Sequence, residues 1–307
     1  TSLINDMSKL FENKHYFNDN INNWNVSNVI DMNYMFSKCE KFNQPLNNWI
    51  VSNVINMECM FFCCIRFNQQ INKWNVSNVK LMNGMFQNCK LFNQSINDWD
   101  VSNVIDMNFM FCGCEIFNQH LNNWNVSNVI NMHAMFSCAL SFDQPLNNWN
   151  VSKVENMRSL FDNCKVFNQP LNNWDVSNVK NMKGLFYYAK NFNQDLNNWD
   201  ISNIENMDSI FLNAKLFNKP LNNWDVSNVI NMEEMFNCAL SFNQPLNNWN
   251  VSNVKYMMYM FSECKNFNQP LNSWNILSLT NNYNMFYKAI FFFPGYWIFK
   301  LDDVPII

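Results

Sequence analysis

The chain has 307 residues and a formal net charge of −4, with 48 % hydrophobic and only 14 % charged residues. That length bounds it to one large or two ordinary domains, and 4 Gly and 8 Pro exclude a linker or collagen-like composition. No basic stripe is present, which excludes a nucleic-acid groove as a partner site, and the longest apolar run is too short to span a bilayer.

The chain begins at Thr1 without a signal-peptide-like run. Residues 1–25 read as a degenerate capping coil. Met7, Leu10 and Phe11 fit a pattern that becomes strict downstream, but Thr1 and Leu3 replace its usual Val and Asn. From Trp24 to Trp274 a Trp falls at every 25th position, and Phe36 to Phe286 keep the same step. Self-similarity at this period signals a solenoid. The regular array covers 26–275, and 276–307 form a degenerate coil with an apolar cap, making one continuous domain of about 12 coils. At a strand spacing of about 4.8 Å the array is on the order of 58 Å long.

One coil shows the expected elements. In "LNNWNVSNV" (121–129), Trp124 and Val126 alternate around Asn125, the period of a short strand. In the following segment, Met132, Met135, Phe136 and Ala139 share one face of a short helix. Asn131 sits where a helix N-cap belongs. Pro145 and its equivalents turn the chain into the next coil. The expected fold is therefore an α/β, leucine-rich-repeat-like right-handed solenoid, with one short strand and one short helix per coil.

Asn fills whole columns. Asn22 to Asn272 leave no exception at their position, and a second column beginning at Asn18 is broken early only by Asp143. Stacked loops hide backbone polar groups that need partners, so these amides are expected to form ladders along the array. The 11 Cys follow the repeat and not a metal-binding spacing. Cys39, Cys64, Cys89, Cys114, Cys164 and Cys264 share a position with Ala139 and Ala189, which calls for a small buried side chain in reduced form.

No catalytic constellation emerges. His15, His120 and His133 occupy different repeat positions, with His133 expected in solvent, and Gly84, Gly113, Gly184 and Gly295 are isolated. No cofactor or metal is expected, and the chain reads as a non-enzyme. One candidate ligand or partner face is an outward row: Asn25, Asn75, Asp100, Asn125, Asn150, Asp175, Asp200, Asp225 and Asn250, with Ile50 the apolar exception. Asp175, Asp200 and Asp225 on successive coils raise Ca²⁺ as an alternative to a plain solvated row. A second candidate face is the variable side of the expected helix, including Phe109, Arg158, Tyr187, Tyr188, Glu233 and Tyr259. The tail holds Phe291, Phe292, Phe293, Tyr296 and Trp297, which either cover the last open edge or dock onto another chain.

The unit "FNQPLNNWDVSNVKNMKGLFYYA" (167–189) resembles the DUF285 repeat of the BspA-like leucine-rich-repeat group of surface proteins. The resemblance covers nearly the whole chain and carries no catalytic motif. It implies a protein-binding or adhesive role at the cell surface or outside the cell. Similar arrays in large DNA viruses give the alternative, a structural virion component assembled into a larger particle. This chain departs from the bacterial pattern in its Cys content and in lacking a lipobox. Asn-Val-Ser sequons at Asn25, Asn75, Asn125, Asn150 and Asn250 would place glycans in a crowded stack, which argues against a eukaryotic secretory route.

Overall fold

A computed structural model describes residues 3–290. The 25-residue unit is one turn of a solenoid, and successive coils meet through single parallel bridges, except between Asn181 and Asn206, where turn-ladder bonds such as Gly184 N–H to Asp208 O at 2.9 Å join them. The bridges link Asp6 to Asp31 and run on to Asn181, then from Asn206 to Asn281.

Two expected elements are corrected. Among the described residues no helix forms, and residues 133–138 are a run of turns. Met132, Ala134, Phe136 and Cys138 donate their N–H groups to carbonyls of the next coil at 2.9, 2.8, 3.0 and 2.8 Å. Met135, Ser137 and Ala139 donate three residues back within their own coil, at 3.2, 3.1 and 2.9 Å. The cause is a left-handed residue at two fixed places, Ala134 (φ 51°) and Cys138 (φ 57°), repeated in every coil. Each such residue turns alternate N–H groups out of the coil and into the stack. A helix would keep every N–H to itself and leave its neighbour unpaired. Asn131 therefore caps no helix. Its Oδ1 accepts the His133 N–H at 3.1 Å, closing an Asx turn beside the bridge. Nor do Trp124 to Val126 form a strand, because Val129 N–H bonds back to Val126 O at 2.9 Å in a tight turn. The α/β expectation thus gives way to a turn-built solenoid.

The core is a set of stacked columns. Val26, Met32, Met35, Phe36, Cys39, Phe42 and their equivalents are buried from coil to coil. Equivalent rings face one another nearly parallel, as in Phe61–Phe86 (4° between planes) and Trp124–Trp149 (2°). Each Trp from Trp49 to Trp274 donates its Nε1–H to a carbonyl of the preceding coil, for example Trp149 to Leu121 O at 2.9 Å. Every Cys is a free thiol. Those in the core column donate to a carbonyl of the coil before, as Cys64 does to Phe36 O at 2.9 Å. Burial pushes the thiols of Cys64, Cys89, Cys114 and Cys164 well above the ordinary range.

Coil spacing differs around the ring. The bridged side is held at the parallel-ladder distance of about 4.8 Å. Equivalent rings are 5.7 Å apart at Phe111–Phe136, 6.0 Å at Phe117–Phe142 and 6.4 Å at Trp124–Trp149. The spacing therefore grows from the turn ladder to the Trp column; the turn-ladder side is called the inner side and the Trp side the outer side.

The wider spacing explains the Asn columns. On the inner side backbone meets backbone directly. Towards the outer side the coils splay, and an amide side chain spans the gap. Asn43, Asn68, Asn93, Asn118 and Asp143 each donate their N–H to the residue 25 positions before, at 2.9 to 3.0 Å. Asp143 then serves Asn168 in the same way at 2.9 Å. The Asn22 column does likewise, with Asn22 Oδ1 accepting from Asn48 N–H at 3.1 Å. A third column reaches the other way, Asn53 Nδ2 donating to Ser27 O at 2.8 Å.

Candidate ligand-binding faces

The inner face is built from the side chains that the turn ladder leaves outside the core. In the coil bridged at Asn181 these are Lys183, Gly184, Tyr187 and Tyr188; one coil earlier they are Arg158, Ser159, Asp162 and Asn163. The second and fourth places are the left-handed ones. There Gly184 (φ 62°) leaves Tyr187 an unobstructed flank, with Ser159 Oγ already 3.4 Å from where a Cβ would sit. The Tyr187 and Tyr188 rings lie 4.6 Å apart. Next to them Lys183 pairs with Asp208 at 2.6 Å.

Asp162 is half-buried and accepts from Ser137 Oγ at 3.3 Å. Burial raises its carboxyl to about 6 against that bond's opposing pull. His133, expected in solvent, is instead half-buried and packs on Phe109 with 4.7 Å between ring centres. Burial and then Arg158 hold its imidazole below the ordinary range. His15 meets Glu40 at 3.1 Å, far from His133 in the array.

The sequence-predicted outward row lies on one exposed line. One side-chain oxygen of each is engaged. Asn25, Asn75, Asp100, Asn125, Asn150, Asp175, Asp200, Asp225 and Asn250 each accept the N–H of the Ser two residues on, at 3.0 to 3.2 Å. In Asp100, Asp200 and Asp225 the Ser side-chain bond, then its backbone bond, lowers the carboxyl. Asp200 and Asp225 also share a shallow, solvent-open hollow of about 340 Å³ with Asn197, Asn198, Trp199, Ile201 and Asn223. No group of three His, Cys, Asp or Glu able to hold a metal occurs among the described residues. The tail candidates Phe291, Phe292, Phe293, Tyr296 and Trp297 lie outside the described residues. Among the described residues no helix is long and apolar enough to cross a membrane.

Sequence reasoning missed the left-handed columns and the Asn53 column. The first left a signal: across every coil, neither left-handed position carries Val, Ile or Thr, side chains that this backbone region disfavours most. The second was visible as the recurring Ser-Asn pair, which between Ser27 and Asn253 fails only at Lys153. There the ammonium donates to Asn128 Oδ1 at 2.7 Å instead.

Turn ladder, stacked rings and amide columns define a solenoid of 25-residue repeats. The chain belongs to the family described as "Mycoplasma protein of unknown function, DUF285", whose model matches residues 1–99, 81–199 and 185–294. No curated protein matches it. Among solved structures, it is similar to a leucine-rich cell surface protein from Faecalibacterium prausnitzii at 12 % identity and a TM-score of 0.36, covering 79 % of this chain and 76 % of that one. A leucine-rich-repeat protein from Bacteroides ovatus shows 14 % identity and a TM-score of 0.41, covering 83 % and 72 %.

Proposed function

We propose that this chain is a non-enzymatic scaffold for protein–protein interaction, engaging its partner on the inner face, at the surface setting that the family resemblance implies. One observation carries the reading. The inner face combines a backbone held rigid by a continuous inter-coil ladder with side chains that change from coil to coil, from Glu58 and Cys59 to Arg158 and Ser159 to Glu233 and Glu234. A rigid frame bearing non-repeating side chains pre-organises a specific contact at low entropic cost. The outer row is a weaker candidate, because one oxygen of each side chain already closes an Asx turn. Adhesion is the most direct use of such a scaffold.

The test places a photo-crosslinking residue at Tyr259 on the inner face or at Asn125 on the outer row, and identifies what each captures from native material. Capture of one protein from the inner position alone is expected. Capture only at the outer position sinks the inner-face assignment. Recovery of capsid or envelope proteins in fixed ratio replaces the scaffold reading with a particle component.

A further inference from the structure

We infer that the centre of the inner face, on the coils bridged at Asn156, Asn181 and Asn206, takes a short acidic peptide segment of a partner protein. The inference rests on the scaffold reading above and names the chemistry of its partner.

The charge at this place departs from that of the chain. Overall the net charge is −4. Here Lys165, Lys190 and Lys215 occupy one repeat position on three successive coils, and the coils are in register: Asn191 N–H bonds to Lys165 O at 3.3 Å, and Leu216 N–H to Lys190 O at 3.1 Å. None of the three lysines makes an ion pair among the described residues. They border the inner face, each standing two residues beyond the left-handed place held by Asn163, Tyr188 and Asn213. On the opposite border stands Arg158, exposed, beside Lys183. Two carboxylates lie between these cations. Asp208 is taken by Lys183, and Asp162 is turned towards Ser137 of the neighbouring coil. The surplus is positive, and it flanks the Tyr187–Tyr188 pair on both sides.

The pattern selects a peptide over a longer polyanion. Two rings at 4.6 Å supply flat apolar area for side-chain methylenes and peptide groups, and Asn163 and Asn213, half-buried on either side of Tyr188, supply amides. Towards the C-terminal end the same face turns acidic at Glu233, Glu234 and Glu263. A nucleic acid or sulfated glycan running along the array meets like charge there. A segment confined to three coils does not.

The experiment is fluorescence anisotropy on the full chain, with a fluorescein-labelled hexaglutamate peptide as probe and hexalysine and a heparin hexasaccharide as comparators. Hexaglutamate is expected to bind alone, and more weakly as salt rises. The triple variant Lys165→Glu, Lys190→Glu, Lys215→Glu is expected to lose about tenfold in affinity, the sum of several exposed charge interactions. Tyr187→Ala is expected to lose severalfold. The matched reversal Lys73→Glu, Lys80→Glu, Lys255→Glu is expected to stay within about twofold, and thermal unfolding of each variant verifies the fold. Absence of hexaglutamate binding overturns the inference, as does equal loss in both triple variants or tighter binding of heparin. A partner still captured through Tyr259 while hexaglutamate fails sinks this inference and leaves the scaffold standing. Loss of every inner-face capture sinks the inner-face assignment on which this inference rests.

Discussion

Asn68 holds two donors of the following coil on one oxygen, the Asn93 N–H at 2.9 Å and the Gln94 Nε2 at 3.0 Å. Asn68→Ala leaves both half-buried donors unpaired and is expected to destabilise the chain by about 1–3 kcal/mol. Asn68→Asp keeps the acceptor and costs less, because Asp143 already serves Asn168 and Gln169 in this way. Urea midpoints of the two variants check the order. Ser159 sits at φ 54°, where a Cβ crowds the following carbonyl at a cost of about 1–2 kcal/mol. Ser159→Gly is therefore expected to raise the melting temperature and Ser159→Val to lower it; equal effects would refute the left-handed assignment. Asp162 has its carboxyl raised by burial from 3.8 to about 6. A raised carboxyl binds its proton more tightly in the folded state. Below pH 3.8 both states are protonated and nothing is lost, and as pH climbs towards 6 the folded state loses stability. Asp162→Asn is expected to stabilise the chain at neutral pH and to be indistinguishable from the parent under acid conditions, as urea titrations at both pH values measure.

At the scale of the element, what the sequence makes legible is periodicity, and what it hides is backbone handedness. The apolar spacing of Met132, Met135, Phe136 and Ala139 is shared by a helix face and by a run of tight turns whose alternate N–H groups leave for the next coil. Only the two left-handed places separate them, and Ala134 and Cys138 are not residues that advertise positive φ. Asn131 misled for a related reason, since a side chain that accepts the N–H two residues on serves a helix start and an Asx turn alike. The outward row is exposed, as its strict period suggests, but its engagement with Ser27, Ser77 and their equivalents follows from local turn geometry that no spacing reveals. The buried Phe and Trp columns and the Asn ladders were readable because a strict period leaves a side chain only its own copies as neighbours. Far-UV circular dichroism of the purified chain is expected to lack the helical double minimum. A helical spectrum would overturn the turn ladder directly.

For the whole molecule the consequence is near one-dimensional cooperativity, in which each coil is stabilised mainly by the two it touches. The stacking columns have the same step, so the ring of Phe136 sees Phe111 and Phe161 at 5.7 and 5.8 Å and would meet an equivalent ring after any whole-coil change. Removing residues 126–150 deletes one full period. It brings the coil before into register with the coil after, so that Asn125 Oδ1 again finds a Ser two residues on, now Ser152 renumbered into the place of Ser127. Every column survives, one rung shorter. The shortened chain is expected to fold, with an urea m-value reduced by roughly the share of surface that one coil contributes. Removing 126–149 instead shifts the chain by one residue. Each Asn acceptor then faces the wrong donor, and each ring column is offset across the junction. That variant is expected to unfold in two separate transitions or to aggregate, since the ladder can no longer pass the break. Folding of both variants with similar midpoints would mean that coils tolerate slip, and the stack would not be held by the residue-to-residue columns described above.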